Sequence, residues 1–216
     1  MIYRRSFRFR KTNIEVIFYL TKFQSKKLQN ISKIRFLGLV TLLLFPIPGY
    51  LIVHYFHPQS IATFLQIDEF NAIPTTYGLE FGFVYAFIAY LFMKAPFFDK
   101  VPSKVDHIIA QLPLTYFDGI FLSLCAGVGE ELLFRAGIQP LLGPWVTSVV
   151  FVALHGYLNP WNWRFSMYGM IVLPFIVILS FGFIHFGLWF GIGAHFAYDA
   201  VLFTIMIREK KQSQTT

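Results

Sequence analysis

Long apolar runs cut by short polar breaks are the dominant pattern of this chain. A helix of about 20 apolar residues crosses a hydrocarbon core roughly 30 Å thick. Six stretches approach that form: Phe36–Phe56, Tyr77–Met93, Phe117–Leu142, Trp145–Leu158, Ser166–Ile184 and Gly187–Ile207. Lipid offers no partner to backbone N–H and C=O groups, so each run must satisfy its own, as a helix does. The pattern therefore predicts an all-α, multi-pass transmembrane bundle of about six spans.

The breaks refine this picture. Pro46 and Pro48 soften the first span, and the polar stretch from His57 to Thr76 is too long for a tight turn. Lys94, Lys100 and Lys104 mark the next loop, in which Val105–Leu114 reads as a surface helix that Pro113 interrupts. Gly143-Pro144 signals a sharp reversal. The run after it, Trp145–Leu158, is too short to cross alone and is expected to be embedded among its neighbours. Asn159–Phe165 reads as a polar turn and Arg208–Lys211 as a polar tail. The chain divides accordingly into a basic segment at 1–35, two spans with their loops at 36–111, a motif-bearing core at 112–207 and a tail at 208–216. Within the first segment the apolar patch Ile14–Leu20 suits a short amphipathic helix at the interface.

Composition supports the membrane reading: 56% of the 216 residues are hydrophobic, only 13% are charged, and Phe alone accounts for 27. A single cysteine excludes an internal disulfide, so helix packing must hold the fold. The net charge of +7 does not read as a nucleic-acid surface, because ten of the 18 Lys and Arg residues precede Phe36. With residues 1–35 inside, six crossings put the Lys94–Lys104 loop, Arg164 and the Arg208–Lys211 tail on that same side, as cytoplasmic loops require. Both termini are thus expected on the cytoplasmic side of a prokaryotic cell membrane.

Against this background the sequence Glu130-Glu131-Leu132-Leu133-Phe134-Arg135 is anomalous. A charged side chain near a bilayer centre costs about 3 kcal/mol on insertion scales, so ionisable groups there face a wet cavity or one another. Three polar pairs recur at one-turn spacing: Glu131 with Arg135, Phe151 with His155, and His195 with Asp199. Counting 1.5 Å per residue from the outer helix ends puts Glu130, His155, His195 and Asp199 roughly 20, 16, 12 and 18 Å deep. Distant parts of the chain thus bring two acids and two imidazoles to a similar level, which predicts a polar cavity inside the membrane.

In order and spacing these residues resemble the CAAX protease and bacteriocin-processing (CPBP, or Abi) family, whose motifs are EExxxR, FxxxH and HxxxN or HxxxD. The matching positions are Glu130-Glu131 with Arg135, Phe151 with His155, and His195 with Asp199. The resemblance implies that residues 112–207 form the catalytic core of an intramembrane endopeptidase. Its substrate would be a membrane-associated peptide or protein, lipidated or not. By the same analogy Glu130 is the base that activates water and His155 assists it. His195 and Asp199 orient the peptide or stabilise the oxyanion, and Glu131 pairs with Arg135 to stiffen the helix. Asp199 departs from the commoner Asn; an ionised Asp cannot donate, so His195 is the better oxyanion donor. Asp199, one turn from His195, is the expected holder of the imidazole tautomer.

Glu130, His155 and His195 are also a chemically reasonable zinc set. The HExxH pattern, with two ligands on one helix and a base between them, is absent. Metal-independent hydrolysis is therefore favoured, with zinc as the alternative. Two non-hydrolytic readings compete: a non-catalytic membrane protein such as a bacteriocin-immunity factor, and a proton-coupled transporter, in which buried Glu and His relays also occur. Repeated halves with broken helices would favour transport, and the sequence has no visible repeat.

Overall fold

The computed structural model describes residues 30–95, 113–159, 161 and 166–213, and every regular element among them is helical. In chain order these are α1 (Asn30–Phe56), the short α2 (Ile61–Leu65), α3 (Ala72–Met93), α4 (Tyr116–Glu131), a π-helical segment (Leu132–Ile138), α5 (Gln139–Leu154), α6 (Gly169–Phe186) and α7 (Leu188–Ser213). Among the described residues five helical runs are long and apolar enough to cross a membrane; the third of them is the continuous stretch Tyr116–Leu154. The expected interfacial helix at Ile14–Leu20 and most of that at Val105–Leu114 lie outside the described residues. Pro113 and Leu114, which are described, are not helical.

The 39-residue stretch Tyr116–Leu154 is two limbs rather than one rod. A straight helix would separate Glu130 from His155 by about 37 Å, yet Glu130 Oε2 lies 3.4 Å from His155 Nε2. The reversal occurs at Gly143, with φ 72° and ψ 169°, a region open essentially to glycine alone. Pro144 then starts the returning limb, as the sequence predicts. That limb is too short to span alone, and it packs against α6 and the π-helical segment.

Local chemistry sets the helix ends. α3 starts where the Asn71 side chain accepts from Ile73 N at 2.9 Å, five residues before the expected start. α4 opens with a capping box, in which Thr115 Oγ1 accepts from Asp118 N at 3.2 Å and Asp118 Oδ2 accepts from Thr115 N at 2.8 Å. Arg35 Nε donates to the other oxygen of Asp118 at 2.6 Å and so pins α1 to the start of α4. On the opposite end, Gln66 ends α2 in a left-handed turn with φ 48°. Its side-chain oxygen accepts from Leu188 N at 2.7 Å and its carbonyl from Trp189 Nε1 at 2.8 Å, tying the connection between α1 and α3 to the α6–α7 hairpin.

Two expectations are corrected. The first helix begins at Asn30, inside the segment assigned to the basic N-terminal region. The polar tail is the last turns of α7, where Glu209 bonds Lys94 Nζ and the Tyr90 hydroxyl, both at 2.9 Å. Neither helix end is apolar, so hydropathy alone stops short of both.

Helix α7 is the centre of the bundle, packed along α3 and α4 with α6 on a third side. The main core is aromatic: the ring of Phe175 stacks on Tyr198 at 4.2 Å and on Phe81 at 5.5 Å, while Phe134 meets Phe151 edge-on at 4.8 Å. This core forms one wall of the polar cavity described next.

Candidate active site

Four chain segments deliver the ionisable residues to one place. Glu130 and Glu131 end α4, Arg135 sits in the π-helical segment, His155 caps α5, and His195 and Asp199 lie one turn apart on α7. Arg135 and Glu131 are wholly buried, with Nε and Oε2 at 3.2 Å. The π segment itself is a departure from the simple one-turn picture; such widened turns are frequent at functional sites.

The geometry converges on Glu130. Its Oε2 lies 3.4 Å from His155 Nε2 and 4.0 Å from His195 Nε2. His155 Nδ1 is 2.8 Å from the carbonyl oxygen of Phe151, which can only accept, so Nδ1 carries the proton. In the neutral ring Nε2 is then a lone pair facing a carboxylate oxygen, an arrangement that needs a hydrogen-bond donor to both. At 3.4 Å the two atoms are too close for a water to stand in line between them, so a water that serves both must bridge them from the cavity side.

His195 is held from both ends. Its Nδ1 lies 2.9 Å from Glu131 Oε1 and its Nε2 lies 3.6 Å from Asp199 Oδ2. The expectation that Asp199 fixes the tautomer is thereby corrected: the shorter contact is from Glu131, at the nitrogen facing away from Glu130. Arg135, Glu131 and His195 thus form a chain, and pairing with Arg135 is only half of what Glu131 does.

Phe151 has its own place in this chain. Its ring stacks on His155 at 4.2 Å, meets His195 edge-on at 5.9 Å and lies under the Arg135 guanidinium at 5.3 Å. It therefore sets the plane of one imidazole and gives the buried cation an aromatic face, a contact that contributes about 0.5–2 kcal/mol. The periodicity does not reveal Gly191. A Cβ there would meet Glu131 Oε2 at 3.0 Å, so glycine makes room for the carboxylate. A buried polar belt of Gln139, Ser148 and Ser180 continues beyond Arg135, with Gln139 Nε2 donating to the Ser180 carbonyl at 2.8 Å.

The cavity in front of these groups has a volume of about 360 Å³. Glu130, His155, His195 and Asp199 occupy one side of it, and Phe175, Tyr198, Phe203 and Met206 are among the residues that form the rest. Such a cavity suits an extended apolar peptide segment with one polar reacting bond. Tetrahedral zinc with bonds of about 2.0–2.1 Å holds its ligand atoms roughly 3.4 Å apart. The Glu130–His155 separation meets that value and the 4.0 Å Glu130–His195 separation exceeds it; the donor types suit zinc, but among the described residues no group of three is placed to hold a metal ion.

Comparison with known proteins places the motifs in a family. One relative, the uncharacterized protein YpbD of Bacillus subtilis (strain 168), is 38% identical over 98 residues, which is 41% of this chain and 45% of that protein. The chain thus matches less than half the length of this curated relative. No solved structure matches the chain. Residues 112–201 match the family described as type II CAAX prenyl endopeptidase Rce1-like, and that segment holds all three motifs. The chain is therefore an integral membrane protein whose residues 112–201 are similar to the Rce1-like family of CAAX-type proteases.

Proposed function

We propose that this protein is an intramembrane endopeptidase that hydrolyses a peptide bond in a membrane-associated peptide or protein, with water activated by Glu130. The observation that supports this best is the shared focus of two imidazole Nε2 atoms on one carboxylate oxygen. A water bridging Glu130 and His155 from the cavity side donates one hydrogen to each and keeps a lone pair for the substrate carbonyl. Glu130 takes the proton as the water oxygen bonds to the carbonyl carbon, and the C=O electron pair moves onto oxygen. His195, whose Nδ1–H faces Glu131, presents an Nε2–H to that oxyanion as the imidazolium that Glu131 and Asp199 stabilise; a placed donor of this kind contributes about 10²–10³ in rate. Collapse of the tetrahedral species breaks the C–N bond, and Glu130 returns its proton to the leaving amine. Asp199 acts through His195.

Metal-independent chemistry is the reading we favour, since each step falls to a side chain already in position. Zinc, where bound, would be held by Glu130, His155 and His195 and would supply Lewis-acid polarisation. The cavity reaches Met93 and Met206, next to Lys94 and Arg208, which supports an opening on the basic, cytoplasmic side with both termini on that face.

The test is cleavage of a membrane-tethered peptide library by purified protein in vesicles, read by mass spectrometry with and without chelator. Glu130→Gln is expected to lower cleavage by about 10²–10⁴, the range for a general base. Wild-type cleavage by that variant would remove the assignment, and loss on chelation restored by zinc would overturn the metal-free route. A non-catalytic role is separable in cells, where Glu130→Gln and His195→Ala would then act as well as wild type.

A further inference from the structure

Helix α7 separates two cavities. His195, Asp199 and Met206 face the candidate site, whereas Val201, Thr204, Ile205 and Arg208 line a second groove of about 630 Å³ that α3 closes with Phe83 and Phe87. Between Ala200 and Gln212 this groove follows α7 for about 18 Å. Its deep part is apolar and opens outward, since Phe83, Phe87 and Ile120 are each partly exposed. Its shallow end is polar and carries Arg208, Glu209 and Tyr90. Glu209 is already neutralised there by Lys94. Arg208 is exposed, and among the described residues no carboxylate pairs with it.

An apolar trough in the membrane that ends in an unneutralised cation complements one chemistry: an acyl chain joined to an anionic head group. We propose that this groove binds an anionic phospholipid, with an acyl chain against Phe83, Phe87, Val201 and Ile205 and its phosphate on Arg208. Basic pockets between helices at a membrane face recognise such head groups, and one cation there is worth about fivefold in affinity. The bound lipid packs the back of α7 from Ala200 onward, in the turns that follow His195 and Asp199. It therefore braces the helix that carries half of the candidate site.

The experiment is thermal unfolding of delipidated full-length protein in mild detergent. Phosphatidylglycerol is titrated against phosphatidylcholine of the same acyl chains. The anionic lipid is expected to stabilise wild type at about fivefold lower concentration than the zwitterionic one. Arg208→Gln should abolish that preference while leaving the response to phosphatidylcholine, and Thr204→Trp, which fills the trough, should blunt both responses. Lys210→Gln, a cation outside the groove lining, should keep the wild-type preference. Equal stabilisation by both lipids, no stabilisation by either, or equal loss of preference in the Lys210 and Arg208 variants would each overturn the proposal. A groove covered instead by a protein segment would give the second of these results.

Discussion

The Glu131–Arg135 pair offers a test that separates holding the fold from positioning His195. Both side chains are wholly buried, and Oε2 to Nε is 3.2 Å. Removing one partner of a buried pair costs about 3–5 kcal/mol, because the other charge is left without compensation. Against a total stability of about 5–15 kcal/mol, either Glu131→Gln or Arg135→Met should lower the unfolding midpoint substantially. The double variant removes both charges, so its loss should fall short of the sum by about 2–3 kcal/mol, within the range for residues in contact. Activity should behave otherwise. Glu131 Oε1 is the 2.9 Å partner of His195 Nδ1, and loss of such a supporting contact typically lowers function about 10–100-fold. Turnover per folded molecule should therefore stay low in the double variant although its stability loss falls short of the sum, while Arg135→Met alone, which keeps the Glu131–His195 contact, should be the most active of the three. The assay is unfolding followed by intrinsic tryptophan fluorescence, paired with peptide cleavage on the same samples. Wild-type turnover per folded molecule in the double variant would refute the positioning role, and simple additivity of the two stability losses would refute the pairing.

Gly191→Ala places a methyl group 3.0 Å from Glu131 Oε2, and the carboxylate is held by two partners and cannot swing away. Overpacking of this kind costs about 1–3 kcal/mol; turnover should fall with it, and an unchanged kcat would show that Glu131 has slack. Asp118→Asn weakens both the capping box of α4 and the bond from Arg35, and hydrogen bonds to charged groups contribute about 1.5–3 kcal/mol. The unfolding midpoint should drop while cleavage per folded molecule holds, and a selective loss of cleavage would contradict the purely structural reading of that cap. Gly143→Ala meets no atom within 4 Å, so its whole effect is backbone strain at φ 72°, about 1–3 kcal/mol. A neutral result in thermal unfolding would mean that the reversal can be made in another conformation.

Convergence of the ionisable groups was readable in the sequence because lipid makes isolated charges so costly. Three pairs at helical spacing on apolar runs had few ways to be satisfied except by one another, and Gly143-Pro144 announced the reversal that joins two of them. The partner of His195 was not readable. Asp199 is one turn away on the same helix, whereas Glu131 arrives from α4, and only the rotation of that helix decides which carboxylate meets Nδ1. Helix ends were misjudged for a similar reason. Arg35 and Glu209 look like loop residues by hydropathy, but each has a partner on a neighbouring helix, Asp118 and Lys94, that pays for its position. The room left by Gly191 and the widened turn at Leu132–Ile138 belong to three-dimensional fit, for which a 3.6-residue period has no signal.

That widened turn makes the domain unusually tolerant of a change in chain length at one spot. Loss of a single residue between Leu132 and Ile138 could be absorbed as an ordinary helix with all backbone bonds intact. Everything beyond it would keep nearly its present direction relative to the two acids, because the widened turn is a helix that already carries one residue more. A gene lineage can therefore lose one codon here and keep the bundle, whereas the same loss in the regular turns on either side would rotate all that follows by about 100°.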